Sequence, residues 1–368
     1  MTLGFRRKLG SALLAGCLSA LLTNVTLVAA PAVSAPLPGP PLVGFSFSPF
    51  SVPRLVNETP TAALRTLVDK LQPDLVRLPI YWSQAEPSAG VYDFSSTDAL
   101  ISVIRQHNRH HRRPTRVVFT IGARNLGYPE VYLPGWLPDA AVSNLRHIVT
   151  TQVYGNYLRT AVARYADLPE LYAWQIENEP LDSVTTNVGR APALTATAVD
   201  SEIDILRGID RSHPVVVTTF NSSHIRLDRQ GRSPLAWLYR LLPGPKAVGH
   251  PGETLQMGNA LGLDVYVVTP STPLAEDPAE ERIAWKSDTI LYWSTQARLA
   301  DKQLWITEMQ GIPWDGAPGF TPQDLVNSAT AYRDRGASVI LLWGVENWLF
   351  NREWMKAGLQ AMTTLRNP

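Results

Sequence analysis

Short apolar runs recur along this chain, separated by longer stretches in which apolar residues return every three or four positions. The runs are Leu42–Ser46, Leu75–Pro79, Arg116–Ile121, Leu171–Ile176, Val215–Phe220, Leu263–Val268, Leu304–Thr307 and Ser338–Trp343. Each is nearly all apolar, as a strand covered on both faces must be. The intervening pattern is helical. It is clearest over Val142–Ala166, where Leu145, Ile148, Val149, Val153, Leu158 and Val162 form one stripe. Helix starts are marked by Thr59-Pro60, Ser233-Pro234, Asp277-Pro278 and Thr321-Pro322. Each pair sets a capping side chain before a proline at the first helical position. Glu280 and Asp324 then fall in the first turn, where their charge complements the helix dipole.

Strand–helix alternation repeated eight times implies a parallel sheet, either closed into a barrel or open and doubly wound. Segments after helices are tight: Gln72-Pro73-Asp74, Arg113-Pro114-Thr115, Leu168-Pro169-Glu170 and Lys302-Gln303. Segments after strands are long and rich in Trp, Tyr, Pro and Gly, which suits the rim of a barrel. After the first run, Gly44-Phe45-Ser46-Phe47-Ser48 lacks the glycine spacing that cradles a dinucleotide. The expected fold is therefore an α/β, single-domain (β/α)8 TIM barrel over residues 42–368. One stretch, Gly244–Gly262, is long and irregular and fits no element of this scheme.

The first 35 residues are expected to be a targeting segment. Arg6-Arg7-Lys8 is a basic start, Leu9 to Leu22 is mostly apolar, and Val33-Ser34-Ala35 closes it. Leu14-Ala15-Gly16-Cys17 resembles a lipobox, which would make Cys17 a lipidated anchor. Simple secretion, a lipid anchor and an uncleaved membrane anchor all remain open. Each places the protein outside the cytoplasm or in the cell envelope. A proline-rich linker follows over 36–41. Cys17 is the only cysteine, so the domain must hold together without an internal disulfide. The net charge of +1 gives no basic face for nucleic acid.

Two of the apolar runs end on glutamate: Ala173-Trp174-Gln175-Ile176-Glu177-Asn178-Glu179-Pro180 and Leu304-Trp305-Ile306-Thr307-Glu308. Glycosidic cleavage needs two carboxyl groups in different protonation states, supplied from the ends of different strands. Glu179 and Glu308 meet that requirement. If configuration is retained, the two carboxyls stand about 5 Å apart, and the charge on Glu308 raises the pKa of Glu179. Glu177 shares a face with Glu179 in regular alternation, so parity does not separate them. Glu177 is read as a structural carboxylate near the barrel wall.

The pattern resembles the clan of retaining β-glycosidases on (β/α)8 barrels that includes families 5, 35 and 42. The resemblance rests on Asn178-Glu179 ending strand four and Glu308 ending strand seven. It implies Glu179 as acid/base, Glu308 as nucleophile, and Asn178 as the group that holds the sugar 2-hydroxyl. Further positions carry over. Arg77 in Val76-Arg77-Leu78-Pro79 would keep Glu308 ionised. Tyr266 in Asp264-Val265-Tyr266 would hydrogen-bond the nucleophile. Trp343 would lie under the reactive sugar, and Trp82 opens a loop found in several member families. Many family 5 members carry a histidine near the end of strand three, where this chain has Ala123-Arg124-Asn125.

The expected activity is hydrolysis of β-glycosides with retention, with an oligo- or polysaccharide or another β-glycoside as partner. No cofactor and no metal is expected. His107, His110 and His111 are read as a solvated basic helix end. The alternatives are an inverting or transglycosylating barrel, or a carbohydrate-binding barrel without activity. Of the aromatics in the long loops, Trp82, Tyr128, Tyr132, Trp136, Trp314 and Trp348, about half are expected to stack on sugar. Glu346 and Asn347 are left between sugar contact and turn capping.

Overall fold

The computed structural model describes residues 39–127, 129–186, 189–220, 249–268, 279–314 and 319–367. The expected targeting segment and the first half of the proline-rich linker lie outside them, as do Ser233-Pro234, Asp277-Pro278 and Tyr128. Among the described residues no helix is long and apolar enough to cross a membrane.

Eight parallel strands close into a barrel. They are β1 Leu42–Ser46, β2 Leu75–Tyr81, β3 Arg116–Gly122, β4 Leu171–Ile176, β5 Val215–Phe220, β6 Ala260–Val265, β7 Gln303–Gln310 and β8 Val339–Trp343. Neighbours follow chain order, and β1 pairs with β8 to complete the ring. Against this wall pack α1 Pro60–Leu71, α2 Ser95–Asn108, α3 Gln152–Tyr165, α4 Ala196–Arg207, α5 Ala279–Leu299, α6 Pro322–Tyr332 and α7 Arg352–Arg366. The fold is the expected (β/α)8 barrel.

Alternation of side chains along the strands divides the core in two. Leu75, Val118, Ala173, Val216, Ala260, Trp305, Val339 and Leu341 cluster separately from the rest; they come from seven different strands and fill the interior. The larger cluster lies between strands and helices. Beyond this plug, toward the carboxyl ends of the strands, the interior holds the buried polar groups Arg77, Gln175 and Glu308.

Two of the expected caps are seen. Thr59 Oγ1 accepts from Ala62 N at 3.2 Å. Thr321 and Asp324 form a reciprocal capping box at the start of α6.

Several boundaries differ from expectation, three of them with a visible cause. The stripe over Val142–Ala166 is not one helix: a short turn at Leu145–Ile148 precedes α3, and the Thr151 hydroxyl caps Tyr154 N at the break. Val153, counted in the stripe, is 42% exposed. The sixth strand starts at Ala260 rather than Leu263. Gly262 hides that start, because a side chain there would meet Thr218 and Thr307 at 2.8 Å. The seventh strand runs on to Gln310, two residues past Glu308. Gln310 holds it there by accepting from Val267 N and Val268 N at 2.8 and 3.0 Å. The unexplained stretch before β6 contains a short helix, Pro251–Thr254. A small hairpin, Val184–Thr186 with Gly189–Ala191, was not anticipated.

Candidate active site

Strand β4 stops at Ile176, and the next residues leave regular geometry. Glu177 and Glu179 both take left-handed backbone angles, with φ of 55° and 45°. The alternation that would put both carboxyls on one face is thereby broken. Glu177 is fully buried and accepts from Ala123 N at 3.0 Å, Arg124 N at 2.5 Å and Tyr154 Oη at 2.5 Å. Tyr154 belongs to α3, so this carboxyl faces the helix layer. Room for it comes from Gly122, at φ 145°, where an added Cβ would lie 2.4 Å from Glu177 Cδ. Glu179 instead anchors its backbone N–H on Thr218 Oγ1 of β5 at 2.9 Å. Its carboxyl is 6% exposed among other acids. Burial, then the charges of Asp264, Glu130, Asp182 and Glu308, push that carboxyl well above the usual glutamate range. Glu308 does raise it, as expected, but it stands behind three acids that sequence reasoning did not place there.

Glu308 lies on β7, level with Asp264 of β6, just after a register shift between Leu263 and Asp264. Arg77 Nη2 donates to Glu308 Oε1 at 2.5 Å. The same guanidinium gives Nε to Ser46 Oγ at 2.8 Å and Nη1 to Gln175 Oε1 at 2.7 Å. Arg77 is fully buried, and three strands share its fork. Tyr266 Oη donates to Glu308 Oε2. The Tyr266 ring stacks on Phe220, and Trp314 meets it edge-on at 5.2 Å. Asn178 is tied to the same network through Gln175 Nε2, which donates to Asn178 Oδ1 at 3.2 Å. Trp343 is half-buried at the end of β8. Arg77, Asn178, Glu179, Tyr266 and Glu308 are thus gathered around one charge network, with Trp343 at a neighbouring strand end.

Trp82 is not part of it. The expectation that it lines a ligand fails because it is 0% exposed. It stacks on Tyr157 of α3 at 5.4 Å and donates its indole N–H to Glu86 at 2.6 Å. Other loop aromatics also pack the protein itself. Tyr132 stacks on Phe50, Trp136 donates to Glu86 O, and Trp348 is buried with its N–H on Gly311 O. Asn347 caps its turn by donating to Gly344 O at 3.1 Å. Glu346 accepts from Ser48 N, and burial pushes its carboxyl up to about 7. At the end of β3, Asn125 Nδ2 bridges Ile80 O and Thr120 O, both at 3.1 Å. Arg124 donates to Glu130 at 2.9 Å and to Asp182 O at 2.5 Å.

Sequence reasoning missed Asp264, Glu130 and the Asp182–His250 pair, whose Oδ1 and Nδ1 lie 2.7 Å apart. Asp264 had a signal: in the expected sixth strand, Leu263–Val268, it stands two residues before Tyr266, hence on the same face. Glu130 had none, because a left-handed residue at φ 68° in an irregular loop sets its position.

Among the described residues, one group of side chains has metal-ligand spacing. Ligand atoms of Asp69, His107 and His111 lie within 4.8 Å of one another, at the opposite end of the barrel helices from this site. His107 Nδ1 and Asp69 Oδ1 are 2.8 Å apart, and the two imidazoles stack at 3.9 Å. Arg65 and Arg109 line the same hollow, and their charge opposes a cation.

No protein-family model matches the chain. Solved structures do. A GH5_18 enzyme from Streptomyces cattleya, in complex with GlcNAc, superposes with a TM-score of 0.61 at 16% identity, over 89% of this chain and 81% of its own. The exo-beta-1,4-mannosidase Op5Man5 from Opitutaceae bacterium strain TAV5 gives 0.56 at 16%, over 90% and 60%. Endo-glycoceramidase II from Rhodococcus sp. gives 0.51 at 17%, over 83% and 74%. The chain shares its barrel with these three structures. At such identities the likeness speaks for the fold.

Proposed function

We propose that this protein is a glycoside hydrolase that cleaves β-glycosidic bonds with retention, with Glu308 as nucleophile and Glu179 as acid/base. One observation carries the reading. A carboxylate pinned by Arg77 and Tyr266 shares its charge network with a second carboxyl whose pKa burial and neighbouring acids raise well above the usual glutamate range. Double displacement requires one carboxyl that donates a proton and another that attacks as a carboxylate.

In the first step Glu308 attacks the anomeric carbon while Glu179 gives its proton to the departing oxygen. The C–O bond to the leaving group breaks as the glycosyl ester forms. Esterification removes the charge of Glu308, so Glu179 is relieved of one neighbour and takes a proton from water in the second step. Water's oxygen then bonds the anomeric carbon, and Glu308 leaves as carboxylate. Asn178, oriented by Gln175, is assigned the sugar 2-hydroxyl, and Trp343 the face of the reactive sugar. Export through the N-terminal segment belongs to the same reading.

The test is a panel of chromogenic β-glycosides assayed with wild type and Glu308→Ala. β-Mannosides are included because a neighbouring structure holds Manβ1-4GlcNAc and another is an exo-beta-1,4-mannosidase. Turnover by wild type that disappears in the alanine variant supports the reading, and NMR of the first-formed anomer decides retention. An alanine variant as active as wild type refutes the assignment of Glu308.

A further inference from the structure

The segment that carries Asn178 and Glu179 has a conformation it would not keep unaided. Glu177 and Glu179 both take left-handed backbone angles, which persist in residues other than glycine where the surroundings over-determine them. On the β5 side, Thr218 Oγ1 accepts from Glu179 N at 2.9 Å. The Asp182 carboxylate adds two bonds there, accepting from Phe220 N at 2.7 Å and from Thr219 Oγ1 at 3.0 Å. On the β3 side a single residue does the holding, and it has been given no role.

That residue is Arg124, at the place where the chain departs from the family 5 pattern. Its main-chain N–H donates to Glu177 Oε2 at 2.5 Å, and its carbonyl accepts from Asn178 N at 3.2 Å. Its side chain reaches past Glu179. There Nη1 donates to Asp182 O at 2.5 Å and, at a longer 3.4 Å, to Pro180 O. Nη2 donates to Glu130 Oε2 at 2.9 Å, while Nε, shut away from solvent, has no acceptor. Arg124 is fully buried, and Glu130, buried as well, balances its charge. Main chain and fork together bracket the acid from residue 177 to residue 182. A planar fork serves carbonyls with one nitrogen and a carboxylate with the other; lysine has one nitrogen for all three.

We propose that Arg124 is a positioning residue for this reaction: its clamp on the main chain at both sides of Glu179 sets where that carboxyl stands relative to the leaving-group oxygen. The inference rests on the role proposed above for Glu179. Arg124 acts at one remove, because its fork bonds carbonyls beyond the acid and the Glu130 carboxylate. Proton transfer needs donor and acceptor within hydrogen-bond reach, so a loosened main chain slows it. Attack by Glu308 is spared, since Arg77 and Tyr266 hold that carboxylate separately.

Arg124→Lys tests this, because it keeps a cation beside Glu130 and removes the fork. One readout needs no activity. Hydrogen exchange is followed by NMR at the Glu179 and Asp182 amides, which donate to Thr218 Oγ1 and Glu179 O. In the variant both should exchange about tenfold faster or more, while amides of β1, β2 and β8 keep their protection. The other readout is kcat/KM on two β-glycosides of the sugar that wild type cleaves. One is an alkyl glycoside, whose leaving group needs a proton; the other is a dinitrophenyl glycoside, whose leaving group does not. The variant should lose about 10- to 100-fold on the first and less than about threefold on the second. A merely structural role lowers both alike. Arg124→Met combined with Glu130→Gln removes the ion pair as a unit, and decides if the lysine form does not fold. In a folded variant, unchanged exchange at both amides or equal losses on the two glycosides overturns the proposal. Wild type that cleaves neither glycoside sinks the hydrolase reading, and exchange alone then decides whether Arg124 holds the segment.

Discussion

The Tyr266 hydroxyl donates to Oε2 of Glu308, the oxygen that the Arg77 guanidinium leaves free. Both carboxylate oxygens are therefore held by donors, and the plane of the carboxylate is fixed before any ligand arrives. Removing the hydroxyl in Tyr266→Phe takes away a hydrogen bond to a charged group, worth about 1.5–3 kcal/mol. The expected loss in kcat/KM on an aryl β-glycoside is about 10- to 100-fold, with the thermal midpoint little changed.

Arg77 is a different matter, because it joins β1, β4 and β7 from a fully buried position. Arg77→Met leaves the Glu308 charge buried without its cation, a loss of about 3–5 kcal/mol in stability. Denaturant unfolding should show it. Arg77→Lys should recover little, since one ammonium cannot reach Ser46, Gln175 and Glu308 together.

The two glutamates flanking Asn178 make a paired prediction. Glu179→Gln should lower turnover of substrates with poor leaving groups by about 100- to 10,000-fold, the usual worth of general acid catalysis. Its fold should be intact. Glu177→Ala should do the reverse. It strands two backbone N–H groups and the Tyr154 hydroxyl in the interior, costing several times the ~1 kcal/mol of one hydrogen bond. Residual activity of the folded fraction should stay within about tenfold of wild type. Circular-dichroism melts and kinetics on both variants check this.

Buried acids at the mouth also give stability a pH dependence. Glu130 and Glu346 are each pushed up to about 7 from 4.5, in both cases mainly by burial. A raised carboxyl means that the folded state holds protons the unfolded chain has released. Its contribution is fully present below about pH 4.5 and is lost as pH rises to about 7. The thermal midpoint should therefore fall between those limits. Glu346→Gln, which keeps an acceptor for Ser48 N, should flatten part of the slope by roughly 3 kcal/mol over the window.

Much of this was legible beforehand because it follows from periodicity. Strands covered on both faces must be apolar throughout, and proline after threonine marks a helix start wherever it falls. Glu308 was found because it ends an apolar run, whereas Arg77, Asn178 and Tyr266 were reached through the resemblance. Trp82 was misplaced because an indole at a strand end reads the same whether it faces a ligand or a helix. The separation of Glu177 from Glu179 depends on backbone angles that no residue pattern announces. Gly262, admitted for close approach to Thr218 and Thr307, looked like a break and was part of a strand.

The left-handed turns at Glu177 and Glu179 carry a last implication. The main chain sets the direction in which each Cα–Cβ bond leaves the strand end. Glu179→Asp should thus shorten the side chain by one methylene on an unchanged Cα–Cβ bond. A β-branched residue at either site would straighten the segment and swing its neighbour to the wrong side of the wall. The strand end works as a switchyard for two acids, and its points are thrown by conformations that most side chains avoid.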